Sequence, residues 1–174
     1  MIPNETRACP GCGALVPDID GPVHKYVPSS PGCWKAFGEV QAAEAQRFGH
    51  PAAHRLVVDA YMAQHPGDGR DRRDRQSVFV HLVGLCAVLE HGLPQPFATS
   101  LLGQVIRQRG GDFPTLQRTG APGSVTVLHM AGAADPTDYE RRALEWATSV
   151  WASWSAQHEL IRSALRAVLD RVQT

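Results

Sequence analysis

Apolar residues recur at helical spacing along most of the chain after residue 30, and glycines and prolines divide this pattern into segments. The third segment, QSVFVHLVGLCAVLEHG, is apolar nearly all round and is predicted to be a buried helix. The last segment opens with Asp135 and Pro136 and is long enough for one kinked helix or two. The predicted helical segments are residues 31–48, 52–64, 76–92, 97–109 and 135–172.

Two parts of the chain depart from helical spacing. Residues 123–132, GSVTVLHMAG, are rich in β-branched side chains and predict a short strand. Residues 1–32 are dense in glycine and proline, which indicates loops with short strands. The whole pattern predicts a mainly α protein with one or two short strands. A helical, bundle-like domain is expected at residues 35–174 and a small irregular lobe at residues 1–34, packed as one compact unit.

Composition narrows the class of protein. At 174 residues the chain has the length of one domain, and its 17 Lys and Arg residues balance its 17 Asp and Glu residues. No global field therefore attracts nucleic acid, and a nucleic-acid partner is not expected. No stretch reaches the ~20 apolar residues of a membrane span, and the N-terminus lacks the apolar core of a signal peptide. We expect no membrane association and a cytoplasmic location, where thiols stay reduced.

Three of the four cysteines lie in one stretch near the N-terminus, CPGCGALVPDIDGPVHKYVPSSPGCW. Cys9 and Cys12 have the Cys-x2-Cys spacing of a zinc knuckle, and the glycines beside them let both sulfurs turn towards one ion. Cys33 follows Pro-Gly at a predicted helix N-terminus, where the helix dipole favours a thiolate. It is the expected third ligand.

A tetrahedral site needs a fourth ligand, and a histidine is expected. His24 is the nearest in sequence and the first choice; His54 or His65 replaces it if the helices fold back. Zinc is the expected metal, since it suits thiolates combined with imidazole. A mainly structural zinc is favoured over a catalytic metal and over a redox pair. The prolines and glycines after Cys12 do not allow the helix that a thioredoxin-type redox pair requires.

The second predicted helix and the residues that end it, HRLVVDAYMAQHPG, place His54, Tyr61 and His65 in one stripe. Asp59 and Arg55 lie one turn apart on its flank, where the two side chains can pair. His54 and His65 are separated by roughly 16 Å along the helix axis at 1.5 Å per residue, so both cannot bind one ion. We therefore expect His54 near the N-terminal metal lobe or in contact with its ligands, and His65 with His81 near a separate pocket.

This separate pocket is predicted between adjacent helices. Tyr61, His65 and His81 are expected to line it as candidate catalytic residues, because imidazoles act as acids and bases near neutral pH and also bind metals. Gly84 lies near the face of His81 and would let another backbone or a ligand approach. His158, on the last predicted segment, is a further candidate for a three-histidine set with His65 and His81.

Six stretches of the chain together resemble one family of proteins: CPGCG, GPVHKY, SPGCW, HRLVVDAYMAQHPG, QSVFVHLVGL and WATSVWASWSAQHELIR. The family consists of uncharacterised bacterial proteins, is common in actinobacteria and is classed as a domain of unknown function. The similarity runs from Cys9 to about Leu165. The resemblance implies no reaction, but it marks a set of candidate functional positions: Cys9, Cys12, Cys33, His54, Asp59, Tyr61, Gln64, His65 and His81.

Two functions from different classes follow from the sequence. The first is a zinc-binding soluble bacterial protein whose structural zinc accompanies a His/Tyr-lined pocket for a small-molecule ligand or a protein partner. The alternative is a metal- or histidine-dependent enzyme that acts on a small molecule. The coordination of the metal separates the two, because structural sites are closed by four protein ligands and catalytic sites keep a water.

Overall fold

Helices dominate the computed structural model of this protein, which describes residues 5–49 and 51–172. The predicted mainly α fold is confirmed, and the last predicted segment forms two helices. In the described ranges the helices are α1 (Pro31–Phe48), α2 (His54–Gln64), α3 (Arg72–Leu89), α4 (Gln95–Arg109), α5 (Pro136–Ala152) and α6 (His158–Val172), with 3-10 turns at Val127–Met130 and Ser155–Gln157. None of these described helices combines the length with the apolar character that crossing a bilayer requires.

The start of α1 is fixed by its capping residue. The Ser30 side chain accepts a hydrogen bond from the backbone N–H of Cys33, and Pro31 occupies the first turn, where a missing N–H breaks no helical bond. Gly49 ends the helix in the left-handed conformation, with φ 63°. Cys33 is therefore held in the first turn of a well-capped helix.

The helices pack around α3, which contacts α2, α4, α5 and α6. The side chains of α3 are buried on nearly all sides between Val78 and Ala87, as its apolar sequence predicts. α2 packs against both α3 and α5, and its C-terminal part, with Tyr61 and the adjoining His65, is buried. This packing brings the end of α2 into the interior of the protein.

The N-terminal lobe is a short hairpin joined to the helices. β1 (Thr6–Ala8) and β2 (Leu15–Pro17) pair antiparallel, with the end of β1 opposite the start of β2. Val16 is buried and belongs to the same hydrophobic cluster as the helices. A Cβ at Gly32 in α1 would come within 2.2 Å of the Pro17 carbonyl oxygen. The hairpin therefore packs directly on the start of α1, and only glycine fits at the contact.

The boundary predicted at residue 34 falls inside α1. Of the lobe predicted at residues 1–34, the structure describes 5–34, which supply the hairpin and the first turn of α1. Its buried side chains share one cluster with those of the helices. The division into residues 1–34 and residues 35–174 stays a prediction.

The strand predicted at residues 123–132 is wrong. The structure has a loop there that continues into the 3-10 turn at Val127–Met130. Strands need a partner for their backbone groups, and the sheet of the described residues is confined to β1 and β2. Val127 and Met130 are both buried, and a spacing of three places them on one side of a 3-10 turn that contacts α1 and α5. Burial against helices decides the conformation here.

Candidate metal centre

The turn between β1 and β2 carries two of the predicted ligands. The N–H of Cys9 donates to the carbonyl oxygen of Ala14 at 2.9 Å, and the N–H of Gly13 donates to the carbonyl oxygen of Cys9 at 2.8 Å. Gly13 has φ 76°, a left-handed conformation that glycine adopts without strain. The turn leaves Cys9 and Cys12 buried beneath it.

The start of α1 brings the third thiol to this turn. Cys33 is fully buried, and its Sγ lies 3.8 Å from the Sγ of Cys12. The backbone N–H of Ser30, the capping residue of α1, donates to the Sγ of Cys9 at 3.4 Å. A backbone N–H group that donates to sulfur favours a thiolate, so this contact suits Cys9 as a deprotonated metal ligand.

The end of α2 supplies a fourth donor. His65 directly follows α2, and its Nε2 lies 3.5 Å from the Sγ of Cys9 and 3.4 Å from the Sγ of Cys33. Its Nδ1 lies 2.8 Å from the carbonyl oxygen of Tyr61. A carbonyl oxygen only accepts, so Nδ1 carries a proton and donates it, and Nε2 is the ring nitrogen that faces the thiols. Metal-binding histidines are oriented in this way.

Three of the six distances among the four donor atoms agree with a tetrahedral site, and the other three fall within 4.8 Å. The donors of Cys9, Cys12, Cys33 and His65 all lie within 4.8 Å of one another, and all four residues are buried. Zn–S bonds of about 2.3 Å and Zn–N bonds of about 2.0 Å at tetrahedral angles put sulfurs about 3.8 Å apart and sulfur about 3.5 Å from nitrogen. The S–S distance of 3.8 Å and the N–S distances of 3.4 and 3.5 Å agree with these edges. The described cysteines are all free, and the cluster can hold one metal ion.

The thiols and the imidazole are electrostatically coupled. Hydrogen bonds from Cys12 and Cys33 lower the pKa of Cys9 far below its usual range, and hydrogen bonds to Cys12 and Cys9 raise the pKa of Cys33. Burial lowers the pKa of His65, but hydrogen bonds to Cys12 and Cys9 outweigh burial and raise that pKa to about 9. A proton on the imidazole balances the thiolate charge in the metal-free cluster. A metal cation displaces this proton, so binding releases protons and weakens in acid.

Comparison with known families places the chain in one of them. The model of a family of unknown function, DUF5946, matches residues 7–155, most of the chain. The chain belongs to DUF5946. The resemblance inferred from the six sequence stretches is thereby confirmed at the level of the family, and all four donor residues lie inside the range that DUF5946 matches. No curated protein and no solved structure matches the chain.

Arg118 joins the two sides of the cluster in this DUF5946 chain. Its guanidinium donates to the carbonyl oxygen of Gly11 at 3.0 Å and to that of Gln64, the residue before His65, at 3.1 Å. Burial lowers the pKa of Arg118, while the nearby Cys12 thiol raises it. Its positive charge complements the negative charge that deprotonated thiols would give the cluster. No motif marks Arg118 in the sequence, because the fold alone brings it to the cluster.

Tyr61 closes one side of the cluster. Its hydroxyl donates to the Sγ of Cys33 at 3.7 Å, and its ring centroid lies 4.2 Å from that of His65. Phe37 stacks on Tyr61 at 3.9 Å, and burial raises the pKa of the phenol, so the hydroxyl stays protonated. Tyr61 and His65 lie on the same side at the end of α2, as the helical spacing predicts. Both are buried against the thiols rather than exposed to an open pocket.

His24, the first choice for the fourth ligand, lies outside the cluster. It is exposed; its Nδ1 accepts a hydrogen bond from the Tyr26 N–H at 3.2 Å, and its ring packs on Trp34 with 5.5 Å between centroids. An isolated antiparallel bridge pairs His24 with Val27 in this loop. The structure brings His65 to the thiols instead, because the end of α2 returns to the N-terminal lobe. His65 is one of the alternatives that the sequence leaves open.

Two further predicted histidines contact other residues. His54, expected near the metal, has its Nδ1 2.7 Å from the Glu44 carboxylate in α1. His158 stacks on Trp151 with 3.8 Å between ring centroids, and its Nε2 lies 2.9 Å from the Trp151 carbonyl oxygen. Neither belongs to the group of four donors found among the described residues. His54 is therefore not a ligand in this group, and His158 does not join His65 in it.

The structure also separates His81 from Tyr61 and His65, which were predicted to share a pocket with it. The Nδ1 of His81 lies 2.7 Å from the Asp59 carboxylate, whereas the Nε2 of His65 faces the thiols. The surface depression that His81 lines contains neither Tyr61 nor His65. Tyr61, His65 and His81 therefore do not share one pocket: Tyr61 and His65 lie in the buried cluster, and His81 lies at a separate surface site.

The predicted pairing of Arg55 with Asp59 is present, with 2.9 Å between the Arg55 Nε and the Asp59 Oδ1.

Gly11 is the point at which the knuckle backbone touches the imidazole of this DUF5946 chain. A Cβ at Gly11 would come within 2.3 Å of the Cδ2 of His65. We expect Gly11→Ala to push the ring away from the thiols, which lowers metal affinity and reduces the free energy of unfolding by roughly 1–3 kcal/mol. Denaturant unfolding and zinc competition with a chromogenic chelator measure the two effects.

Gly38→Ala is the matched control for Gly11→Ala. Gly38 lies inside α1, and a Cβ there meets nothing within 4 Å. Helix propensity predicts that this variant gains about 0.5–1 kcal/mol and keeps its metal. Similar metal affinity in the two variants would show that the contact between Gly11 and His65 does not position the imidazole.

Proposed function

We propose that the protein binds one zinc ion through Cys9, Cys12, Cys33 and His65, and that the ion has a structural role. The observation that carries this proposal is the group of four buried donors within 4.8 Å of one another, three of whose distances are tetrahedral edge lengths. Four protein ligands leave a tetrahedral ion no open position. A closed and buried coordination shell is the mark of structural rather than catalytic zinc.

Zinc suits these donors better than other common metals. Three thiolates and an imidazole form a soft ligand set, and tetrahedral sites of this kind favour zinc. Calcium and magnesium prefer oxygen ligands, which this cluster does not offer. A cytoplasmic location, which belongs to the same proposal, agrees with four cysteines that are all free.

The ion supports the folding of the N-terminal lobe. β1 and β2 have three residues each, too short for a hairpin to be stable alone. A bound metal links three segments that are distant in sequence: the turn of the hairpin, the first turn of α1 and the end of α2. The cross-link therefore takes the place of a core in the lobe predicted at residues 1–34 and fixes that lobe to the helices.

Two of the predicted catalytic residues have roles in this centre. His65 is a ligand, and Tyr61 donates a hydrogen bond to the Cys33 sulfur, which a thiolate accepts well. Because the coordination shell is closed, a substrate has no position on the metal, and the proposal includes no reaction there. The small-molecule ligand expected from the sequence is instead proposed to bind at the surface around His81.

Elemental analysis tests the proposed zinc centre. Protein purified in reducing buffer without added metal is expected to contain zinc at a near-stoichiometric ratio, and Cys12→Ser is expected to lose it. Cys86→Ser, at a buried cysteine outside the cluster, serves as the control and should retain the metal. Metal-free wild-type protein, or equal zinc content in the two variants, would remove the basis of the proposal.

A further inference from the structure

A second group of polar side chains lies between α2 and α3, around a buried carboxylate. Asp59 has no exposed surface. The Nε of Arg55 donates to both of its oxygens, at 2.9 and 3.0 Å, and His81 lies with its Nδ1 2.7 Å from Oδ1. The carboxylate is therefore charge-balanced by Arg55, and each of its oxygens has a hydrogen-bond partner.

Gly84 makes room for this carboxylate. A Cβ at Gly84 would come within 2.3 Å of the Asp59 Oδ2, so any larger residue would displace Asp59. The sequence predicted that a backbone or a ligand would approach Gly84, and in the structure the Asp59 side chain does so instead. Because a carboxylate only accepts, the Nδ1 of His81 carries the proton and donates it, and the Nε2 of His81 points away from Asp59. Asp59 thus sets both the tautomer and the direction of the imidazole.

The side of the His81 ring that faces away from Asp59 is exposed to solvent. The His81 side chain is 16% exposed, and its Nε2 has no hydrogen-bond partner among the described residues. The ring lines a surface depression of about 320 Å³. Most side chains of this depression can donate hydrogen bonds, and none of them is a carboxylate; the described residues that line it are Tyr26, Arg73, Gln76, Ser77, Val80 and His81.

Arg73 supplies a positive charge in this depression. Its guanidinium lies over the Tyr26 ring, 5.3 Å from the centroid, and donates a hydrogen bond to the Tyr26 hydroxyl. The ammonium group of Lys25 lies 5.6 Å from the same centroid. Arg73 forms no ion pair in the part of the chain that the structure describes, unlike Arg55, which pairs with Asp59. Most of the five N–H donors of the Arg73 guanidinium are therefore available.

The two acidic residues that flank Arg73 along the chain are engaged elsewhere. Asp71 caps α3 by accepting from the backbone N–H of Arg73 at 2.7 Å. Asp74 lies against Gly67, where a Cβ would come within 2.4 Å of its carboxyl carbon. The guanidinium of Arg73 is thus held in place by an aromatic ring rather than by a carboxylate.

We propose that this depression binds the oxyanion group, a phosphate or a carboxylate, of a small molecule. Arg73 holds the anion through its planar pair of N–H donors, which match two oxygens of either group. His81 contacts the same ligand through Nε2, which accepts from a hydroxyl when the ring is neutral and donates to an oxyanion when the ring is protonated. No described residue of the depression belongs to the four-donor group, so anion binding and zinc content are measured separately on the metal-loaded protein.

A titration of the full-length, metal-loaded protein tests the proposal. Inorganic phosphate and acetate are added separately at constant ionic strength, with chloride as the background salt, and the ring nitrogens of His81 and the backbone amides of residues 76–81 are followed by NMR. Saturable shifts with phosphate alone identify a phosphate group as the ligand, and saturable shifts with acetate identify a carboxylate. Shifts that fail to saturate with either anion overturn the proposal.

Substitutions at single residues show where the anion binds. Arg73→Gln is expected to weaken anion binding at least tenfold without changing the melting temperature. Arg70→Gln is the matched control, because the Arg70 side chain is 89% exposed and pairs with Asp68 at the surface. His81→Gln removes the ring nitrogen and is expected to weaken binding as well, with the amides as readout. Equal weakening by Arg70→Gln, or binding unchanged in Arg73→Gln, shows that the anion does not bind in this depression.

Discussion

Cys33→Ala is expected to release the bound metal and to lower the free energy of unfolding by about 3–5 kcal/mol, the cost of breaking a buried charged site. Metal binding contributes on the order of 10 kcal/mol to the folding of isolated zinc modules. The effect is smaller here because the helices keep a core of their own. Cys33 has the largest expected effect since it lies in α1 and contacts both Cys12 and His65. Denaturant unfolding with parallel metal analysis measures the loss.

Cys86→Ala is the control for this prediction. Cys86 is as fully buried as Cys33, but it lies in α3 outside the four-donor group. Its replacement removes one sulfur from the core and is expected to reduce the free energy of unfolding by only about 1 kcal/mol, with the metal retained. If both variants unfold at the same denaturant concentration and both keep their metal, the thiol of Cys33 is merely packed and the centre is not structural.

His65→Ala is expected to lower zinc affinity at least a hundredfold, whereas His24→Ala leaves it unchanged. His65 is buried with its Nε2 directed at two sulfurs, and His24 is exposed and packed on Trp34. Loss of one of four ligands opens the coordination shell, and an open shell holds zinc less tightly. Competition with a chromogenic chelator gives both affinities.

A third variant separates ligand loss from the cavity that alanine creates. His65→Cys restores a donor in the same place and gives a four-cysteine site of the kind that also binds structural zinc. We expect it to recover zinc binding relative to His65→Ala. Retained binding in His65→Ala together with loss in His24→Ala would move the fourth ligand back to His24.

Local patterns predicted the parts of the site that lie close in sequence. The Cys-x2-Cys turn and the Pro-Gly before Cys33 place three sulfurs near one another through short-range geometry, and the structure brings them together. The helical period also put Tyr61 and His65 on a common face. Spacing along a helix does not say what that face packs against. Here it packs against the cysteines, and the choice between His24 and His65 depends on that packing.

The remaining differences also come from tertiary contacts. The pairing of Arg55 with Asp59 follows from a spacing of four residues, but the third partner, His81, comes from the neighbouring helix. Arg118 reaches Gly11 across 107 positions of the chain, so no local pattern reveals it. Residues 123–132 have the composition of a strand and form a loop and a 3-10 turn, because buried helices rather than a strand lie beside them. Long-range packing decided each of these cases.

X-ray absorption at the zinc edge tests most directly whether Cys9, Cys12, Cys33 and His65 form a closed structural centre. The protein as purified, in reducing buffer, is the sample, and His65→Cys is the comparison. We expect the zinc of the wild-type protein to have a first shell of three sulfurs at about 2.3 Å and one nitrogen at about 2.0 Å. In His65→Cys a fourth sulfur is expected in place of the nitrogen. A shell that includes a water oxygen, or one with fewer than three sulfurs, would contradict it.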